Sequence, residues 1–185
     1  SGKNFNRAFV ELSAPVGALI GERLGADAEA NVAVIRQAMA QVFEELPAPA
    51  SQLEALHRLL LRHACDADIT LDLHCDFDAA IHLYALPQHW PQWRSLAARL
   101  KAGVALLCED SGGSSFDESC STPWLRLARA FPNAAIPAAN LATTLELGSM
   151  GDTRVDQAQA NCEAILGFLA EQGFISGEWP AAPGE

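Results

Sequence analysis

The chain has 185 residues and a formal net charge of −11, and half of its residues are hydrophobic while only 19% are charged. That length suits one domain with a sizeable core, and such acidity excludes a nucleic-acid binder, whose phosphate contacts need clustered Lys and Arg. No apolar run approaches the roughly 18–20 residues of a membrane span.

In chain order, residues 1–26 read as irregular, punctuated by Gly2, Pro15, Gly17, Gly21 and Gly25. "ADAEANVAVIRQAMAQVFEEL" predicts a helix capped by Asp27, with Val32, Ile35, Met39 and Val42 on one stripe. After "PAPA", Ser51 caps a second helix running to about Ala64, with Leu53, Leu56, Leu60 and His63 at helical spacing. "DITLDLH" and "AAIHLYAL" are short β runs, and "PQHWPQWRSLAARLKAG" is a helix ending at Gly103. "VALLCE" has the continuous apolarity of a strand buried on both faces. "DSGGSSFDESCSTP" is a polar loop of the kind that lines sites. A helix follows at about 123–131, then the strand "ATTLELG", a long helix over about 152–172, and the Pro/Gly-rich segment "GEWPAAPGE".

Strands alternating with helices indicate an α/β layered sheet. The organisation expected is one catalytic α/β domain over residues 1–176, with no internal boundary, followed by a tail or linker over 177–185. The five cysteines are scattered and odd in number, with no CxxC pair, which suits reduced thiols in a cytoplasmic protein.

Three short motifs carry chemistry. "LDLH" sets His74 at the C-terminal end of a strand, where open α/β sheets gather functional groups. Strand alternation points Asp72 and His74 to one side, opposite Leu71 and Leu73, and a nearby carboxylate orients an imidazole as a ligand. A structural histidine is the alternative. "TTLELG" sets Glu146 in an otherwise apolar strand, where burial raises a carboxyl pKa towards the range suited to proton transfer. Its alternative is a buried ion pair with Arg154 or Arg126. "NFNR" offers two amides and a guanidinium, either for carboxylate recognition or for satisfying a turn. His82 in "IHLY" faces a site or is a core histidine; His57, His63 and His89 lie in helical stretches and are assigned no chemistry. "DSGGSS" lacks the lysine of a phosphate cradle.

Taken in order, the Asn-Arg pair, the strand-end "LDLHCD" and the strand-borne "TLELG" resemble the succinylglutamate desuccinylase/aspartoacylase family of the zinc carboxypeptidase clan. Glu146 follows His74 by 72 residues, and the resemblance spans nearly the whole chain. It implies a mixed, mostly parallel sheet flanked by helices, zinc-carboxypeptidase-like (phosphorylase/hydrolase-like). It also implies His74 as a zinc ligand, Glu146 as general base and then general acid, Asn6 and Arg7 as substrate anchors, and Asp76 and His82 as candidates to line the site.

The departures are specific. The family's other two zinc ligands come from a His-x-x-Glu motif upstream of the Asn-Arg pair, and this sequence contains no such motif. The expectation is therefore a fragment of a longer enzyme, inactive alone, since a catalytic zinc needs three protein ligands. Asn4 also stands where the family commonly has Asp, and Val10-Glu11 stands for its usual Pro-Gly. The expected function is a zinc-dependent amidohydrolase acting on a small N-acyl amino acid or related amide, without nucleic-acid or membrane partners and compatible with a homo-oligomer. The alternatives are a zinc carboxypeptidase acting on peptides, or an inactive binding module of the same fold.

Overall fold

The computed structural model describes residues 4–183. Gly2 and the end of the predicted tail, residues 184–185, lie outside the described residues. The chain divides into two compact units: Ser1–Thr70 with Glu109–Ala142, and Leu71–Cys108 with Thr143–Glu185.

The first unit is helical. Helix α1 (Ser13–Ile20) lies in the stretch expected to be irregular. Pro15 is tolerated there because it sits in the first turn, where backbone N–H groups have no helical partner. The Glu11 carboxylate takes the role of a cap, accepting from the backbone N–H groups of Ser13 and Ala14 at 2.9 and 3.1 Å. Gly17 faces Leu127 and Phe131, which a Cβ would meet at the ordinary contact distances of 3.6 and 3.8 Å.

Helix α2 (Ala28–Glu45) starts as expected, with Asp27 Oδ1 accepting from the N–H groups of Glu29 and Ala30. Helix α3 (Gln52–Ala64) is capped by Ser51, whose hydroxyl accepts from Glu54 N–H at 3.1 Å. Its buried face is His57, Leu61 and Ala64, whereas Leu56 and Leu60 are exposed and His63 lies on the outer side. The stripe is thus rotated from the one the leucines predicted, because Leu61 and His57 are the groups that meet the core.

Helix α5 spans Phe116–Ala130, starting seven residues before the expected position, with Pro123 inside it. Its polar first turns are buried rather than looped out. Ser121 donates to Asn140 O and accepts from Ala142 N–H, and the Asn140 amide donates to Ala64 O at 2.7 Å. Leu12, Val16, Ile20, Ile35, Met39, Leu61, Trp124 and Leu127 form this unit's core.

Strands β1 (Ile69–Asp76) and β4 (Leu141–Ser149) begin in the first unit and continue through the second, which also holds β2 (His82–Ala85) and β3 (Val104–Leu107). The sheet order is β1-β4-β2-β3. Strands β2 and β3 are parallel, and β2 and β4 antiparallel, with His82 opposite Glu146 and Tyr84 opposite Thr144. Leu141 N–H donates to Asp68 O and Met150 N–H to Asp76 O, so β1 and β4 run the same way. The sheet is therefore mixed and mostly parallel, as the sequence led us to expect.

Strand β3 departs from expectation. It lies at the sheet edge with Val104, Leu106 and Leu107 exposed by 53%, 42% and 41%, not buried on both faces. Helix α4 (Trp90–Leu100) ends earlier than Gly103, at Lys101 in the left-handed region with φ 54°. Helix α6 (Val155–Glu171) packs against α4, and Trp93 meets Phe168 at 5.6 Å between ring centroids. The 177–183 segment is tied to this unit by Arg99, which donates to Pro180 O at 2.7 Å and pairs with Glu171 at 3.0 Å. No helix among the described residues is long and apolar enough to cross a membrane.

Candidate active site

Strand alternation sorts the second unit's sheet into two faces. Leu83 and Leu145 point into the core, both fully buried. The opposite face carries Asp72, His74 and Asp76 on β1, Thr144 and Glu146 on β4, and His82 and Tyr84 on β2. Because β4 lies between β1 and β2, Glu146 has a histidine-bearing strand on either side. Four of the sequence-predicted residues, His74, Glu146, Asp76 and His82, thereby share one face.

His74 Nε2 lies 2.9 Å from Asp72 Oδ2, in a side-chain pair that is mostly shielded from solvent. Asp72 is thus the carboxylate that orients the imidazole, which strand spacing alone left open. His82 Nδ1 lies 2.9 Å from Ala80 O, and its ring meets Tyr84 edge-on at 5.4 Å between centroids.

Glu146 is the electrostatic centre. Its Oε2 is buried and has no hydrogen-bond partner among the described residues. Burial holds its carboxyl pKa above the usual carboxylate value; Asp76 and Asp72 push in the same direction, and His74 and His82 pull it down. The ion-pair alternative finds no support, because Arg154 pairs with Asp152 at 2.9 Å and Arg126 with Glu11 at 3.2 Å.

Asn6 and Arg7 belong to the first unit. The Asn6 side-chain oxygen accepts from Phe116 N–H at 2.8 Å. Arg7 lines a cavity of about 350 Å³ together with Asn4, Ser51, Glu54 and His57. His57, to which the sequence assigned no chemistry, is buried there, its Nε2 2.6 Å from Phe5 O and its ring stacked on Phe9 at 4.1 Å. Its position between Leu53 and Leu61 on the helix was the only signal that it faces inward.

Among the described residues, no group of three or more His, Cys, Asp or Glu side chains could hold a metal ion. The donor chemistry on the sheet face, an imidazole bonded to a carboxylate beside a second, buried carboxylate, fits one ligand position of a catalytic zinc. These residues alone do not make a three-ligand site.

The fold is α/β, with an acid–base face on a mixed sheet. Comparison with family models and with curated proteins finds no match. Among solved structures, a protein from Shewanella amazonensis assigned to the succinylglutamate desuccinylase/aspartoacylase family superposes with a TM-score of 0.84 at 26% identity, covering 99% of this chain and 50% of that one. A second such protein, from Shewanella frigidimarina, gives 0.78 at 25% identity, covering 100% and 50%. The ectoine utilization protein EutE (DoeB) from Ruegeria pomeroyi gives 0.52 at 16% identity over 73% of this chain and 41% of that one, a likeness of fold alone. The structural neighbours are thus succinylglutamate desuccinylase/aspartoacylase family proteins, in agreement with the three motifs. The chain spans about half the length of the two Shewanella proteins.

Proposed function

We propose that this chain carries the acid–base part of a zinc-dependent amidohydrolase that releases the acyl group from an N-acyl amino acid or a related small amide. The observation that carries the reading is Glu146, with one oxygen buried and without a hydrogen-bond partner among the described residues, between two histidine-bearing strands. Its raised pKa suits a group that accepts a proton from the attacking water and returns it to the leaving amine nitrogen. His74, held by Asp72, would be one zinc ligand, with further ligands from outside the described residues. When bound, the zinc supplies a Lewis acid that polarises the carbonyl and acidifies water. Asn6 and Arg7 anchor a substrate carboxylate or amide oxygen, the guanidinium offering two parallel donors to a carboxylate. Five cysteines held as thiols rather than disulfides support placement in the cytoplasm.

The test uses the full-length protein. Metal analysis should give one zinc per chain in wild type and much less in His74→Ala. N-acetyl-L-aspartate and N-succinyl-L-glutamate should be hydrolysed in preference to short peptides. Preferred cleavage of peptides would favour a carboxypeptidase instead, and no zinc together with no turnover would favour a binding module.

A further inference from the structure

The loop preceding α5, read from the sequence as polar and site-lining, grips the segment that bears Asn6 and Arg7. Ala8 N–H donates to Gly113 O at 2.7 Å, and Phe9 N–H donates to Ser114 O at 3.2 Å. Just beyond, Phe116 N–H donates to the Asn6 side-chain oxygen at 2.8 Å. Three bonds therefore tie residues 6–9 to residues 113–116. Non-glycine residues with positive φ are uncommon, yet one stands on each side of this junction, Ala8 at φ 65° and Ser114 at φ 51°.

Gly113 lies against the Arg7 side chain. A Cβ built there would lie 2.9 Å from Arg7 Cδ, 3.5 Å from Nε and 3.7 Å from Cγ. Its φ of 91° also lies where L side chains are strained. Gly112 is the internal contrast: its φ is 82°, but a Cβ there meets nothing within 4 Å.

We infer that Gly113 is a positioning residue for Arg7: its bare backbone forms the floor on which the Arg7 stem lies and so sets where the guanidinium presents itself to a substrate carboxylate. This rests on the reading of Arg7 as a carboxylate anchor. The surface serves specificity, because it sets the placement of a binding group and leaves the proton chemistry of Glu146 alone.

The experiment compares Gly113→Ala and Gly112→Ala in the full-length protein, both substitutions sharing the same backbone strain. With N-acetyl-L-aspartate, Gly113→Ala should raise KM about tenfold or more with kcat within about threefold, the pattern of lost uniform binding, while Gly112→Ala leaves KM near wild type. Arginine ¹⁵Nε relaxation of the same variants should show Arg7 gaining mobility in Gly113→Ala only. This readout needs no turnover, so a protein that fails to hydrolyse the amide sinks the functional reading while the positioning role is still decided. If Gly113→Ala does not fold, Arg7→Ala/Gly113→Ala should, since the clash is then removed. Equal KM shifts in the two glycine variants, unchanged Arg7 mobility in Gly113→Ala, or a double variant that also fails to fold would overturn the inference.

Discussion

Glu146 stands directly opposite His82 across the antiparallel β2–β4 pair, so the carboxyl group that burial keeps above its ordinary pKa has an imidazole-bearing neighbour in register. An acid whose pKa is higher in the folded than in the unfolded chain favours folding fully only below the unfolded value, about 4.3. That contribution is lost as pH rises through the folded value. Removing the carboxylate therefore relieves the folded protein at neutral pH. In metal-free protein, Glu146→Gln should melt at a higher temperature than wild type at pH 7, and the gap should close at pH 4. Thermal denaturation at the two pH values, with a chelator present, checks this; a lower Tm for the variant at pH 7 would show that the carboxylate is favourably solvated.

The thiols divide sharply. Cys75, Cys108 and Cys162 are exposed, whereas Cys65 and Cys120 are buried, and burial pushes the Cys65 thiol up to about 12. Thiolate is the reactive form. A chromogenic disulfide reagent should titrate three of the five cysteines of this chain in native protein and reach the other two only after unfolding. Five rapid reactions would contradict the placement of Cys65 and Cys120 in the first unit's core.

In the second unit, Trp93 is fully buried and packs on Phe168. Trp93→Ala should cost about 3–5 kcal/mol, the usual range for deleting a buried large aromatic. Trp93→Phe should cost much less, because it keeps a ring against Phe168 and also removes an indole N–H that has no hydrogen-bond partner among the described residues. Urea denaturation of both variants measures the difference.

What could be read from the sequence was local. The Asp27 and Ser51 caps, the strands through His74 and Glu146, and the side each residue faces all follow from short-range chemistry and alternation. That His74 and Glu146 share one sheet face follows from strand adjacency, which depends on pairing between segments distant in the chain. Pro15 and Gly17 disguised α1 because both are poor helix formers by propensity, although Pro15 sits in the first turn and the neighbouring Glu11 carboxylate caps that turn. The start of α5 was hidden in a run of serines whose burial depends on Asn140 and Ala142, some twenty residues further on. Strand β3 looked like a central strand because apolarity does not distinguish a buried strand from the edge strand it is. The place of His57 in the cavity beside Arg7 is not legible in the sequence, because helical spacing does not show what a helix packs against.

The most direct measurement is the steady-state hydrolysis of N-acetyl-L-aspartate and N-succinyl-L-glutamate by full-length wild type and Glu146→Gln, with folding of the variant checked by circular dichroism. Loss of a positioned acid–base group costs roughly 10²–10⁴ in rate, so kcat should fall by about that factor while KM changes little. Equal turnover by the two proteins would contradict a proton-transferring role for Glu146.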